Sequence, residues 1–247
     1  MLDLGLLPIL TLAAAILLLG IAKGGFGGVG APVALPIMAL VIPADLALGA
    51  LLPILLAMDC VSVTAHRRAA DSKAVLFALP AAVIGVLAGA ALLASVPTDI
   101  VGIVIGLLAI LFALMALTGF GLNISHWPRW TSGLFGGLSG LTSTLAHAGG
   151  PPIHIYFLSR GYAPAQFVAT SAMFMAGVNV IKIVPFLVVG ALNTQALTLA
   201  LWLAPLALAA AYLGVWIARI LPKPAFKLAV NGLLIVTGVK LIMDGLL

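Results

Sequence analysis

The chain has 247 residues, of which 64% are hydrophobic and only 7% are charged, and its mean hydropathy is +1.33. Because an ordinary soluble domain carries about 25% charged residues, this composition excludes a water-soluble fold. The formal net charge of +5 is typical of basic cytoplasmic loops beside anionic lipid, so we expect a surrounding lipid bilayer and no nucleic-acid partner.

Ten apolar runs, separated by glycine, proline or charged residues, predict an all-α polytopic membrane protein. The first run has Asp3 ahead of it and no basic residue, so we expect a retained membrane segment and not a cleaved signal peptide. Five runs lie at 4–21, 28–42, 45–65, 74–95 and 99–118. After a polar linker from Asn123 to Arg129, five more lie at 132–146, 149–159, 164–189, 196–218 and 225–243.

The two sets of runs share a pattern of glycine and proline, which predicts an internal duplication. The motif Gly30-Ala31-Pro32 corresponds to Gly150-Pro151-Pro152, and Pro43-Ala44 corresponds to Pro164-Ala165. Farther along, the pair Gly89 and Pro97 has the same spacing as Gly214 and Pro222. We therefore predict an N-terminal repeat at residues 1–120, a linker at 121–131 and a C-terminal repeat at 132–247.

The lysines and arginines of the loops indicate how the repeats are oriented, because these residues favour the cytoplasmic side. An odd number of crossings per half places the basic residues from His66 to Lys73, at Arg160 and from Arg219 to Lys227 on one side. An even number would separate Arg67 from Lys223. The bias therefore predicts inverted repeats, which in secondary transporters bind the substrate between the halves near the midplane, at broken or re-entrant segments.

The segment GIAKGGFGGVGAPVALP, from Gly20 to Pro36, interrupts what would otherwise be one apolar helix through the first two runs. That helix would measure roughly 55 Å, against a hydrocarbon core of roughly 30 Å, so the chain must break or turn back. Irregular backbone at membrane depth requires either packing inside protein or a solute cavity, and both explanations stay open for the glycines. Lys23 is either a substrate contact or a cytoplasmic surface anchor.

If the break lines a cavity, it is a candidate anion site, because the amides and the positive end of the following helix would face the solute. The donors of the first half are Lys23 and the backbone amides of Gly24, Gly25, Gly27 and Gly28. The corresponding donors of the second half are Thr142, Ser143 and His147. Both halves would then direct donors toward one region.

Polar residues at membrane depth are the second set of site candidates, because they are costly there and often functional. Asp59, about 21 Å along its run from Asp45, is either a proton carrier or lysine partner, or an interfacial residue. Lys182 is either an anion contact or a lysine whose ammonium reaches the membrane surface. Asn179 corresponds to Asp59 in the repeat, and it and Ser171 either contact the substrate or bridge helices.

Metal and cofactor sites are not expected. The single cysteine, Cys60, excludes an internal disulfide and a multi-cysteine metal centre. The scattered histidines, including His126 and His154, lack the three-ligand spacing of a zinc site.

In their order along the chain, these features resemble the sulfite exporter TauE/SafE family of bacterial membrane permeases. The residues that carry the resemblance are Gly20, Gly24 to Gly28, Pro32, His66 to Arg68, Ala169 to Ala172, Asn179 and Lys182. The resemblance covers nearly the whole chain, although the segment around His147 has fewer glycines than the family's usual second break. It implies a multi-pass carrier in the bacterial inner membrane for small sulfur-containing anions.

Together, the residues and the resemblance predict a secondary transporter that exports sulfite or an organosulfonate such as sulfoacetate by alternating access at a central site. The predicted substrate contacts are Lys23, Gly24, Gly25, Gly27, Gly28, Thr142, Ser143, His147, Ser171, Asn179 and Lys182. Asp59 is the candidate for proton coupling or ion pairing. An anion channel with the same break as its filter is the alternative, and a membrane-embedded enzyme would need a clustered nucleophile and base that the sequence lacks.

Overall fold

In the computed structural model, the described residues are 5–28, 31–95 and 130–217, with isolated positions between 100 and 118, at 128 and between 235 and 243. Within these residues the regular structure is helical and contains no strand. The predicted runs at 99–118 and 225–243 lie largely outside the described residues, and so do the linker and the basic residues from Arg219 to Lys227.

The described residues contain eight α-helices. Those of the first half are α1 (Leu6–Phe26), α2 (Ala34–Ala39), α3 (Ala44–His66) and α4 (Ser72–Ser95). Those of the second half are α5 (Thr131–Ala146), α6 (Gly150–Ser159), α7 (Pro164–Val188) and α8 (Thr194–Ile217). Short 3-10 turns precede α2 at Ala31–Val33 and follow α3 at Arg67–Ala69. The bounds of α3 to α8 agree with the predicted runs to within two residues.

Five stretches are long and apolar enough to cross a membrane, and the chain is a multi-pass membrane protein. They are Leu6–Gly25, Ala44–Ala69, Ser72–Ser95, Ala165–Val188 and Thr194–Ile217. In the stretch that contains α3, 72% of the apolar window is buried, against 33% to 50% in the other four, so α3 lies at the centre. Large apolar side chains such as Ile84 and Leu201 are exposed, as expected where helices face lipid.

The first helix break lies later than the sequence predicts. α1 continues through Gly20 and Gly24 and ends at Phe26, and the backbone turns at Gly27, whose φ is 64°. A methyl group on Gly24 would collide with the backbone carbonyl of Ala211 in α8. The break thus lies within the predicted segment Gly20–Pro36, but α1 extends five residues beyond the predicted run at 4–21, because the first glycines of this segment let a neighbouring helix approach instead of ending α1.

The two halves of the sequence exchange helices with each other. α1 of the first half packs along α8 of the second, with Gly20 against Ala210 and Gly24 against Val215. α1 and α3 end beside each other, where His66 bonds to the oxygen of Gly24. Since α7 runs opposite to α3, as described below, and α8 reverses the direction of α7, α1 and α8 run parallel. Small residues at each contact allow this close packing.

The pairing of α4 with α5 follows the same pattern. Gly136 lies against Ala78 and Gly140 against Ala82, so α4 and α5 also run parallel. α4 belongs to the first half and α5 to the second. The structure therefore contains two pairs of helices that join one half of the sequence to the other.

Between these pairs, α3 and α7 cross in opposite directions. Gly49, near the start of α3, lies against Ala191, which follows the end of α7. Near the other end of α3, Asp59 bonds to Asn179 within α7. The crossing brings the polar residues of these two central helices together inside the protein.

Candidate functional site

A buried ion pair joins the end of α1 to α3. The ammonium of Lys23 contacts Oδ1 of Asp59, and both side chains are only 5% exposed. Nδ2 of Asn179 donates to the other carboxylate oxygen of Asp59 at 2.6 Å. Both side chains of the pair therefore lie inside the protein and not on its surface.

A second buried lysine, Lys182 on α7, has only neutral partners. Its ammonium donates to the backbone oxygen of Ser143 at 3.1 Å, to Oγ of Ser143 at 3.0 Å and to Nδ1 of His147 at 2.8 Å. These three acceptors match the three N–H donors of an ammonium group. Among the described residues, no carboxylate forms a salt bridge with Lys182, whose side chain is fully buried.

His147 connects Lys182 to the central helix α3. Because its Nδ1 accepts from Lys182, its Nε2 carries the hydrogen and donates to the backbone oxygen of Leu48 at 2.8 Å. The imidazole also lies edge-on to the ring of Phe186, with centroids 5.9 Å apart. The histidine therefore holds the buried ammonium in place and links α5, α7 and α3.

Each half contains a helix that ends in a left-handed residue beside this polar centre. α1 is followed by Gly27, with a φ of 64°, and α5 is followed by His147, with a φ of 49°. The amide of Gly28 donates to the oxygen of Ala22 at 3.1 Å, and the amide of Ala148 donates to that of Thr142 at 3.2 Å. These hydrogen bonds close both helix ends in the same manner.

Side chains from the second half tie the two turns in place. Nε2 of His154 donates to the oxygen of Gly27 at 3.0 Å, and Oγ1 of Thr142 donates to the oxygen of Ala148 at 3.0 Å. Oγ of Ser139 donates to the oxygen of Gly149 at 2.5 Å. In this conformation, Thr142 thus contributes its hydroxyl to one turn, and His154 bonds to the other turn at Gly27.

A small cavity lies between the two turns and the ion pair. Its volume is about 20 Å³, which leaves room for about one water molecule. The polar side chains and turn backbone that line it belong to Lys23, Gly27, Gly28, Asp59, Ser62, His147 and Asn179. The cavity is thus lined by a cation, a carboxylate and an amide, and it is closed to anything as large as a sulfite ion in this conformation.

The structure brings most of the predicted site residues together. Lys182 and Ser143 adjoin the cavity-lining residues through His147, whereas Gly24 and Gly25 lie within α1. Among the described residues, Oγ of Ser171 and Oδ1 of Asn179 have no hydrogen-bond partner, although both are buried.

Sequence reasoning missed Ser62. Its hydroxyl donates to the backbone oxygen of Lys23 at 3.3 Å, and it lines the cavity. Ser62 occupies the position of the first repeat that corresponds to Lys182 in the second. The sequence spacing that relates Asp59 to Asn179 also relates Ser62 to Lys182, so the repeat pattern could have identified Ser62.

A separate polar cluster lies where the α3–α4 connection meets the α6–α7 connection. Asp71 accepts from the amide of Ala74 at 3.0 Å and from the phenol of Tyr162 at 2.7 Å, and its own amide donates to Thr170 at 3.0 Å. The bond from Ala74 and then the bond from Tyr162 hold the pKa of Asp71 below its ordinary value. Burial and the bond to Asp71 raise the pKa of Tyr162 to about 12.

Comparison with known proteins gives one match. The family model described as Sulfite exporter TauE/SafE matches residues 12–241. No curated protein and no solved structure matches the chain.

Proposed function

The chain belongs to the sulfite exporter TauE/SafE family, and from this premise we propose that it exports sulfite or an organosulfonate such as sulfoacetate across a bacterial inner membrane. Membership of this family makes it a membrane transporter of sulfur anions and not an enzyme. The substrate, the direction and alternating access at a central site are our proposal.

The observation that carries the proposal is a pair of buried lysines at the centre of the protein, of which only Lys23 has a carboxylate partner among the described residues. Lys23 and Lys182 are both buried, whereas Asp59 is the one carboxylate that contacts either of them among the described residues. Because a buried ammonium without a counter-ion costs several kcal/mol, an anion bound beside Lys182 would stabilise the charged form of this lysine. A small oxyanion also accepts hydrogen bonds from ammonium, hydroxyl and amide groups.

The unpartnered polar atoms support a ligand at the same place. Buried polar atoms are nearly always hydrogen-bonded, so the hydroxyl of Ser171 and the amide oxygen of Asn179 are expected to gain partners in another state of the protein. A bound anion would accept from the hydroxyl of Ser171, and an accompanying water would donate to the amide oxygen of Asn179. We assign substrate contacts to Lys23, Gly27, Gly28, Thr142, Ser143, His147, Ser171, Asn179 and Lys182. Gly24 and Gly25 lie within α1, and the contact of Gly24 with Ala211 favours a packing role for Gly24.

Helix directions support inverted repeats at 1–120 and 132–247. Because α3 and α4 are joined by a short connection, they run in opposite directions, and α5 runs parallel to α4. α7 runs opposite to α3, and α8 reverses the direction of α7. α8 therefore has the direction of α3, and it runs parallel to α1. It follows that α1 and α5, which begin the two proposed repeats, point in opposite directions. This arrangement suits alternating access to a site between the halves.

The test is the flux of radiolabelled sulfite and sulfoacetate in proteoliposomes made with Lys23→Met or Lys182→Met. Each substitution removes one ammonium donor, so the rate at low substrate should fall by about tenfold to a hundredfold, as expected for loss of a charged hydrogen bond. Lys73→Met, which removes an exposed cation, is the matched control and should keep the wild-type rate.

Wild-type flux in both buried-lysine variants would refute the assigned site. Sustained ionic currents in place of saturable exchange would establish the channel alternative. Wild-type protein that moves neither anion would refute the proposed substrates.

A further inference from the structure

We propose that a second cavity, at one membrane face, binds the phosphate group of an anionic phospholipid, with Lys73 and Arg160 as its cationic contacts. The cavity lies where the start of α4 meets the end of α6, and its volume is about 450 Å³. A volume of this size is typical of pockets that hold small ligands. The cavity shares no lining residue with the central one, so the inference does not depend on which anion the protein transports.

The charged side chains around this cavity favour a phosphodiester. Lys73 and Arg160 both line it, and both are exposed at the surface. Asp71 lines it too, but its carboxylate already accepts from the amide of Ala74 at 3.0 Å and from the phenol of Tyr162 at 2.7 Å. Two cations and one carboxylate leave one positive charge, which matches the single negative charge of a phosphodiester. Basic pockets between transmembrane helices bind anionic lipid headgroups in this way.

The position of the cavity along the helices corresponds to the depth of lipid headgroups. Lys73 is the second residue of its membrane-crossing stretch. α5 runs parallel to α4, and the contact of Gly136 with Ala78 places Trp130, which precedes α5, level with Ser72. Trp130 is 73% exposed, as expected of the aromatic residues that mark a membrane–water interface. A phosphate in the cavity would therefore lie at the same level as the phosphates of the surrounding bilayer.

An exposed apolar stripe on α4 leads from the cavity toward the membrane interior. Phe77 lines the cavity and follows Lys73 by about one helical turn. Ile84 and Leu87 continue the same face about two and about three turns beyond Phe77, and all three apolar side chains are more than half exposed. An acyl chain attached to the bound phosphate would pack along this stripe. The combination of a cationic cavity and an apolar stripe thus favours a phospholipid over free phosphate.

Native mass spectrometry of the full chain in detergent measures the bound lipid directly. The protein is titrated with phosphatidylglycerol, an anionic phosphodiester, and with zwitterionic phosphatidylcholine, each in the presence and absence of excess inorganic phosphate. Wild-type protein should bind phosphatidylglycerol at least about tenfold more tightly than phosphatidylcholine. Inorganic phosphate should not displace the lipid, because it makes no contact with the apolar stripe.

Substitution of the two cations tests the assigned contacts. Lys73→Gln combined with Arg160→Gln should weaken phosphatidylglycerol binding by at least about tenfold, because two charged hydrogen bonds are lost. Arg67→Gln combined with Arg68→Gln is the matched control. It also removes two exposed cations from the neighbouring turn, but neither of them lines the cavity, so binding should stay within about twofold of wild type.

A single variant keeps the test decisive if the double variant does not fold. Arg160 also interacts electrostatically with Asp71 and Tyr162, so its loss affects the nearby connections. Lys73→Gln alone leaves the hydrogen bonds of Asp71 intact and should still weaken phosphatidylglycerol binding by about threefold or more. Lys73→Arg, which keeps the charge, should retain the wild-type affinity.

Equal losses in the cavity variants and in the matched control would overturn the inference, because they would indicate general attraction to a basic surface. Displacement of the lipid by inorganic phosphate, or equal binding of the two lipids, would overturn it as well. The readout is bound lipid and not flux, so failure of this inference is distinguishable from failure of the proposed function.

Discussion

Residues at corresponding positions of the two halves make related contacts with different chemistry. Lys23 and Ser62 meet in the first half, and Ser143 and Lys182 meet in the second, so each junction combines one lysine with one serine. The lysine lies on α1 in the first half and on α7 in the second half. Asp59 has no charged counterpart in the second half, because that position is an asparagine, so only one of the two buried lysines has a carboxylate partner among the described residues.

Two adjacent glycines of α5 allow a residue-scale prediction about packing. A methyl group on Gly136 would collide with the backbone oxygen of Ala78, whereas one on Gly137 would lie 3.5 Å from the oxygen of Ala81. Gly136→Ala should therefore lower the free energy of unfolding by about 1–3 kcal/mol, as overpacked sites do. Gly137→Ala should leave it unchanged or raise it by up to about 1 kcal/mol through helix propensity.

Unfolding by SDS in mixed micelles measures this difference. The two variants are matched in composition and in helix, so only the contact with α4 distinguishes them. Equal stability of the two would show that α4 and α5 are not in close contact.

At the scale of elements, side-chain hydrogen bonds cap the starts of two helices and connect one of them to a neighbouring segment. Asp71 accepts the amide of Ala74 at the start of α4, and Asn193 accepts the amide of Ala196 at the start of α8. Both are N-caps, which satisfy amides that a helix start leaves without partners. Asp71 additionally bonds to Tyr162 and Thr170, so this cap also joins α4 to the α6–α7 connection and to α7.

The Asp71 cap gives a prediction for stability and its pH dependence. Asp71→Ala should lose about 0.5–2 kcal/mol, whereas Asp71→Asn should lose less, because asparagine is also a good N-cap. The folded-state pKa of Asp71 is lowered from 3.8, so its charge contributes stability above that pH. The advantage of wild type over Asp71→Asn should therefore be full near neutral pH and disappear as the pH falls below this range.

Thermal unfolding of wild type, Asp71→Asn and Asp71→Ala across an acid pH series provides the measurement. An advantage that grows on acidification would contradict the assigned hydrogen bonds. Tyr162→Phe should reduce the pH dependence, because the phenol is one of the two main causes of the lowered pKa.

At the scale of the whole molecule, the proposed repeats do not form two separate bodies. α1 packs along α8 and α4 packs along α5, so each half of the sequence supplies a helix to the other. The central helices α3 and α7 each contain a proline, Pro53 and Pro185, which removes a backbone hydrogen bond and favours bending. Access to the site would then change by bending of these helices and not only by movement of intact halves.

The proposed topology predicts which connections share a side of the membrane. In a Cys60→Ser background, cysteines at Ala69 and Ala163 should react with an impermeant maleimide from one side, and a cysteine at Gln195 from the other. The first two positions flank the Asp71 cluster, whereas Gln195 follows the end of α7 that lies near the start of α3. Labelling of Gln195 from the same side as Ala69 would contradict the arrangement.

The amino-acid sequence by itself determined the class of the protein and most helix bounds. Hydropathy and turn residues are local properties, so they placed α3 to α8 to within two residues, and the unusual cost of polar groups in a membrane singled out Lys23, Asp59 and Lys182. The offset between the halves also linked Asp59 to Asn179. The ordered motifs indicated the family, which the family match confirmed.

Only the tertiary structure decided which of these residues are partners. Lys23 pairs with Asp59, which is 36 residues away, and Asn179 reaches Asp59 across 120 residues. Local pattern carries no information on such distances, because they depend on how α1, α3 and α7 cross. The same reason explains why α1 ends later than the predicted run, since a glycine that ends a helix and one that admits a neighbouring helix differ only in what packs against them.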